Sequence, residues 1–198
     1  MVTERHRQLI SQIGIGCWNI DGIWKRLNSF RYNKLNDPYV LEIITKEKIF
    51  CLLETHHTAE EIGDLHIDGY QCFSVYRPKN KNSKRAKASG GIACYVHTSL
   101  RQGISKVPLA GTETVWLKLC KTFFNLPNDI YVCFAYCVQA NSTVMKEDFM
   151  PEDVYDSLDI QLAKFNSLGS VIFMADANAR TRNGLDYIPE EDNSHIPI

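Results

Sequence analysis

The sequence predicts an α+β chain, α/β in the broad sense, in which two β-sheets pack together with helices outside. Three observations predict it. Short apolar runs recur along the 198 residues, separated by turn residues, and they outnumber the helical stretches. The run at 114–119 alternates, with Val115, Leu117 and Leu119 on one side and Trp116 and Lys118 on the other, which is the pattern of a half-buried strand. Two stretches between the runs carry apolar residues at helical spacing instead.

Taken in order, residues 13–20 read as a first strand. Asp37-Pro38 supplies an N-cap followed by proline at the first helical position. The helix after it, 39–48, places Val40, Leu41, Ile43 and Ile44 on an apolar face. Residues 49–53 form a short buried strand. Strands at 70–76 and 91–96 flank a basic loop. The turn Leu126-Pro127-Asn128-Asp129 leads into a strand at 130–136. A second helix, 151–168, carries Val154, Leu158, Leu162 and Phe165 on one stripe, and Gly169 is placed to end it. Residues 171–174 form another apolar strand. Such a strand usually lies inside a sheet and needs neighbours on both sides. The polar stretch after it supplies none, so the sequence suggests a C-terminally truncated copy with the last strands missing. Residues 13–198 are then one partial domain and residues 1–12 a polar N-terminal extension.

Composition limits the function classes. The chain is 44% hydrophobic and 23% charged, which supports a sizeable core. A formal net charge of -1 excludes a uniformly basic DNA-coating protein while allowing a local basic patch. The seven cysteines show no zinc spacing, and most sit inside apolar runs, so they read as reduced, buried thiols. No run is long enough to span a membrane and the first residues carry no apolar signal region, which points to the nucleus or cytoplasm rather than secretion.

Three apolar strands end in an oxygen-bearing side chain: Asn19, Glu54 and Asp176, with Asn178 two residues on. Amide and carboxylate oxygens are hard ligands suited to Mg2+ or Mn2+ rather than zinc. Singly, each residue reads as a turn former or a solvated carboxylate. Together, each directly after a buried run, they suggest a site at one sheet edge. His56 and His57 read as solvated loop residues. The loop Arg77-Pro78-Lys79-Asn80-Lys81-Asn82-Ser83-Lys84-Arg85-Ala86-Lys87 holds six positive side chains. It reads either as a solvated hairpin loop or as an arm contacting DNA phosphates.

The segments Trp18-Asn19-Ile20-Asp21-Gly22, Leu52-Leu53-Glu54-Thr55-His56, Gly90-Gly91-Ile92-Ala93 and Ala175-Asp176-Ala177-Asn178-Ala179-Arg180 resemble ordered motifs of the endonuclease/exonuclease/phosphatase family. The Ala-Arg-Thr wording from Ala179 resembles non-LTR retrotransposon copies. The resemblance implies a four-layer αββα sandwich of two mixed sheets. It implies that Glu54 binds the metal with support from Asn19, that Asp176 orients or deprotonates the attacking water, and that Asn178 hydrogen-bonds the phosphoryl oxygens. Tyr136 matches the family's Tyr-x-Pro-Asn tyrosine, although Val138 and Gln139 replace the usual Pro and Asn. The family's late Ser-Asp-His segment has no counterpart, and His195 stands too soon after Asp176 to replace it. The resemblance also implies DNA as partner through its phosphate backbone, a monomer, and a reverse transcriptase domain elsewhere in a full-length element. The alternatives are an inactive truncated copy, or a phosphatase of the same fold acting on a small phosphoester.

Overall fold

The computed structural model describes residues 13–78, 89–109, 111–138 and 154–178. In chain order the elements are β1 (Ile15–Asn19), β2 (Trp24–Leu27), β3 (Phe30–Asn33), helix α1 (Pro38–Thr45), β4 (Ile49–Leu53), β5 (Tyr70–Val75), β6 (Ile92–His97), β7 (Ile104–Lys106), β8 (Thr114–Leu119), helix α2 (Lys121–Phe124), β9 (Ile130–Tyr136), helix α3 (Val154–Asn166) and β10 (Ser170–Asp176). Short 3-10 turns occupy Lys34–Asn36, Ala59–Leu65 and Thr98–Leu100.

Two four-stranded sheets form, in the orders β1-β4-β6-β5 and β10-β9-β8-β7, beside a two-stranded ribbon of β2 and β3. Each large sheet is mixed. β1 pairs parallel with β4, and β10 parallel with β9, while the remaining neighbours are antiparallel. A parallel pair needs a crossover between its strands. Between β1 and β4 the chain passes through the ribbon and α1, and between β9 and β10 it passes through α3.

Side-chain alternation then divides the interior into three layers of apolar contact. Ile49, Cys51 and Leu53 of β4 face inward with Ile92, Cys94 and Val96 of β6, and they meet Val115, Leu117, Val132 and Phe134 of the opposite sheet. The intervening Phe50, Leu52, Ala93 and Tyr95 face outward and are covered by Val40 and Ile44 of α1. On the far side, Trp116, Tyr131, Cys133 and Ala135 are covered by Val154, Leu158 and Phe165 of α3. This is the four-layer sandwich expected from the sequence.

Helix α1 begins as expected: the Asp37 side chain accepts from the Tyr39 amide, with Pro38 at the first helical position. Helix α3 docks through rings, because Phe165 stacks on Tyr131 at 4.9 Å and packs on Trp116 at 4.3 Å between centroids. Gln161 adds a polar anchor, its Oε1 accepting from the Trp116 indole at 2.7 Å. The turn after α3 presses close to the sheet. A Cβ on Gly169 would lie 2.2 Å from the Asp129 carbonyl oxygen, so only glycine fits without a shift.

Two expectations change. Strand β8 is not half-buried, because α3 covers the face that carries Trp116, which is 1% exposed. The ribbon β2–β3 occupies a stretch where the sequence showed no strand. Strand β10 lies at the edge of its sheet among the described residues, paired on one side alone, with Ile172 and Phe173 exposed.

An ion pair joins the two sheets near one end. The Arg77 guanidinium, just past β5, donates to Glu113 Oε1 from Nε at 3.0 Å and from Nη2 at 2.7 Å. Both side chains are buried. Removing one partner strands the other charge, so Glu113→Ala is expected to cost about 3–5 kcal/mol, checked by urea unfolding. A cost below about 1 kcal/mol would show that the pair does not hold the sheets together.

Cys17, Cys51, Cys72, Cys94, Cys120 and Cys133 are thiols outside any disulfide. Burial pushes the Cys72 thiol up to about 12 and raises those of Cys51 and Cys133. At the surface, backbone amides of Phe123 and Thr122 hold the Cys120 thiol below its ordinary value. The thiolate is the reactive species. Iodoacetamide near pH 8, read by peptide mass spectrometry, is therefore expected to label Cys120 well before Cys51, Cys72, Cys94 or Cys133. Equal labelling of Cys94 and Cys120 in the folded chain would contradict this packing.

Candidate active site

The inward faces of the two sheets end in polar residues. In β1, Ile15 and Cys17 pack on the central core and Asn19 follows at the same two-residue period. In β10, Met174 packs there and Asp176 follows, while in β9 Tyr136 continues the row of Val132 and Phe134. Because β1 runs with β4 and β9 with β10, these strand ends gather at one edge. The apolar core is thus capped at this edge by polar side chains.

Asn19 joins the two sheets there. Its Nδ2 donates to Glu54 Oε2 at 3.0 Å and to Asp176 Oδ2 at 2.7 Å, one N–H for each carboxylate. Its Oδ1 accepts from the Asp21 amide at 3.0 Å, which fixes the orientation of the amide group. Asp176 Oδ1 accepts from the Asn178 amide at 3.2 Å, so both oxygens of that carboxylate are engaged. Asn178 Nδ2 donates to the Cys137 carbonyl at 2.9 Å, which leaves its second N–H for another acceptor. The Tyr155 hydroxyl of α3 donates to the Ala177 carbonyl and steadies this segment.

Tyr136 is buried, and its phenol lies above the ordinary range because of burial first and a hydrogen bond to the Glu54 carboxylate second. It therefore stays protonated at neutral pH and donates to Glu54. Cys17, Trp18, Asn19, Leu53, Met174, Ala175, Asp176 and Ala177 line an open cleft at this edge.

The segment after Glu54 is fastened on both sides. The amides of Gly22 and Ile23 donate to the carbonyls of Glu54 and Thr55, and the amides of Thr55 and His56 donate to the carbonyls of Gly91 and Gly90. The Gly90-Gly91 motif has a steric reason here. Gly91 has φ +87°, and a Cβ on it would meet Thr55 Oγ1 at 2.6 Å. Asp21, Glu54, His56 and Asn178 also have positive φ, between 45° and 53°. That conformation is uncommon outside glycine, and such residues concentrate at functional sites.

Two functional candidates escaped the sequence reading. Asp21, Glu54 and His56 place one ligand atom each within 4.8 Å of one another, a group able to hold a metal ion. Two carboxylates and one imidazole suit a divalent cation of the Mg2+ or Mn2+ class, the imidazole favouring Mn2+. A signal did exist, since Asn19-x-Asp21 and Glu54-x-His56 share one spacing inside the quoted motifs. His56 is partly buried beside these carboxylates rather than a solvated loop residue. His57 is 1% exposed, with its Nδ1 2.7 Å from Thr55 Oγ1 and its ring edge toward Tyr76. Burial lowers its pKa, so the ring is neutral and belongs to the packing of the loop.

Arg77, expected in a DNA-binding arm, is instead held inside by Glu113 and Ser89 and does not present its charge to solvent. The other basic loop residues Lys79, Lys81, Lys84, Arg85 and Lys87 lie outside the described residues, as do His195, the Ala179-Arg180-Thr181 segment and the extension at 1–12.

No family model matches the chain, and neither does any curated protein. Solved structures do. The human Nocturnin catalytic domain with bound sulfate aligns with 82% of this chain and 62% of its own, at 17% identity and a TM-score of 0.50. AP endonuclease LMAP from Leishmania major aligns with 84% of this chain and 55% of its own, at 14% identity and a TM-score of 0.58. The 3'-5' exonuclease NExo from Neisseria meningitidis aligns with 82% of this chain and 56% of its own, at 14% identity and a TM-score of 0.50. The chain therefore spans between 55% and 62% of the length of these three proteins. Two mixed sheets face to face, a helix against each outer face, and these likenesses together give the chain the fold of the endonuclease/exonuclease/phosphatase superfamily.

Proposed function

We propose that the chain is a divalent-metal-dependent phosphodiester hydrolase that nicks DNA, of the kind carried by non-LTR retrotransposons. The observation that carries the reading is the Asn19 amide, which holds Glu54 and Asp176 together beside Asp21 and His56. A metal-ligating group and a carboxylate able to work on water are thereby fixed at one strand edge.

Glu54, Asp21 and His56 would hold the cation, Mg2+ or Mn2+, with Asn19 supporting Glu54. When bound, the cation supplies charge neutralisation at the scissile phosphate and the leaving oxygen. The residues of the chain do the rest. Asp176, held by Asn19 and the Asn178 amide, orients the attacking water and takes its proton. The remaining Nδ2 hydrogen of Asn178 is available to a phosphoryl oxygen as charge builds there. Tyr136 keeps Glu54 in place by donating to it.

DNA as substrate is supported by Lys79, Lys81, Lys84, Arg85 and Lys87 of the loop that follows Arg77, read as contacts to the phosphate backbone, and the retrotransposon lineage by the Ala179-Arg180-Thr181 wording. In a full-length element the nick would prime a reverse transcriptase, and free thiols accord with action in the nucleus or cytoplasm.

Conversion of supercoiled plasmid to open circles in Mg2+ or Mn2+ tests the reading. EDTA is expected to abolish it, Asp176→Asn to slow it by about 10²–10⁴-fold, and Glu54→Ala to remove it at limiting metal. Equal nicking by the wild-type chain and Glu54→Ala would sink the assignment of Glu54. Hydrolysis of a small phosphomonoester with the plasmid left intact would move the substrate away from DNA.

A further inference from the structure

The ribbon β2–β3 has no part in the site described above, and its surface is unusual. The stretch from Gly22 to Asn36 holds four positive side chains, Lys25, Arg26, Arg31 and Lys34, and no acidic one. Register pairs Leu27 with Phe30 across a two-residue turn in which Asn28 takes φ +57°. At this tip Leu27 is 62% and Phe30 is 76% exposed. Since side chains alternate, Lys25, Leu27, Phe30 and Tyr32 share one face of the ribbon. Trp24, Arg26, Arg31 and Asn33 share the other.

The second face is anchored. Arg31 lies over the Trp24 ring at 4.1 Å and pairs with Glu61, while Asn33 Nδ2 donates to the Asp64 carbonyl at 2.9 Å. The first face is open: all three of its large apolar side chains are exposed, and Lys25 stands among them.

The base of the ribbon is tied to the candidate metal group. Lys34 Nζ donates to the carbonyls of Ile20 and Asp21 at 2.6 and 3.0 Å, and the Ile23 amide donates to the Thr55 carbonyl. Four extended residues then carry the tip about 13 Å from that base. Along a duplex this is about four base pairs. Exposed apolar residues at the tip of a basic arm match proteins that insert a wedge between base steps while cations hold the flanking phosphates.

We propose that the β2–β3 ribbon is a duplex-DNA wedge. Leu27 and Phe30 enter a base step from the minor groove within about four base pairs of the scissile bond, and Lys25 and Arg26 contact phosphates. The proposal rests on the reading of the site as acting on nucleic acid.

The test uses the full chain in EDTA with a 30-base-pair duplex carrying 2-aminopurine at successive steps. Binding is followed by anisotropy, and unstacking by 2-aminopurine fluorescence. The wild-type chain is expected to brighten the probe at one or two adjacent steps. Leu27→Ala/Phe30→Ala should abolish the brightening and weaken binding about tenfold, with the salt dependence unchanged. Lys25→Ala/Arg26→Ala should lower the slope of log affinity against log salt by about 2. Both pairs are exposed, and an unchanged thermal melt excludes misfolding as the cause.

Absence of brightening with the wild-type chain, or wild-type binding by both double variants, would overturn the wedge. So would ribbon-dependent binding to phosphatidylserine vesicles without binding to the duplex. Hydrolysis of bis(p-nitrophenyl) phosphate by the wild-type chain in Mn2+ is followed separately. Ribbon-dependent DNA binding without that hydrolysis would support the wedge and remove the reading of the site as hydrolytic.

Discussion

Two carboxylates close together at the end of an apolar core repel each other unless a donor stands between them, and here the donor is the Asn19 amide. Each of its N–H groups serves one carboxylate, and each carboxylate belongs to a different sheet. Hydrogen bonds to charged groups contribute about 1.5–3 kcal/mol each, so this amide holds the edges together as well as orienting the chemistry. Aspartate at this position would add a third negative charge where two already compete. The site therefore depends on the sheets closing to hydrogen-bond distance at that end. Closure depends in turn on the apolar rows behind Asn19, Tyr136 and Asp176.

Those rows arise from the simplest periodicity a strand has. Ile49, Cys51 and Leu53 turn inward while Phe50 and Leu52 turn outward, so one apolar run supplies two cores. Strand β9 does the same with Val132 and Phe134 against Tyr131 and Cys133. Strands with both faces apolar require cover on both, and α1 and α3 provide it. One edge strand of each sheet among the described residues, β1 and β10, ends in Asn19 and Asp176 respectively. The cleft therefore opens between two sheet edges, with the exposed Trp18 in its lining.

Much of this was legible in the residues. Apolar runs located β1, β4, β5, β6, β8, β9 and β10, and Asp37-Pro38 located the start of α1. Site residues at the ends of such runs followed from the same pattern. What escaped did so for identifiable reasons. The β2–β3 ribbon faces solvent along much of its length, so it carries no core-facing alternation, and its Asn28-Ser29 turn lacks the glycine that announces most tight hairpins. Strand β7 has only three residues. Trp116 read as the outer side of a half-buried strand because nothing local shows that a helix 45 residues later will cover it. Arg77 read as part of a mobile arm because Glu113, its partner, is 36 residues away. The histidines read as solvated because Asp21 and Tyr76, which meet His56 and His57 respectively, come from distant segments.

The left-handed backbone at Asp21, Glu54, His56 and Asn178 has a consequence for how such a sequence ages. Each of these residues occupies a conformation that glycine adopts without penalty and that costs other residues on the order of 1 kcal/mol. Stability and chemistry thus pull these positions in opposite directions. Without selection for activity, substitutions that relax the backbone are favoured at the very positions that define the site, while the three apolar cores continue to resist change. A lineage drifting in this way would lose its reactive edge long before its fold. All four of these left-handed residues lie at the edge where the two sheets meet, so the backbone least at ease in this chain is also the backbone of its candidate site.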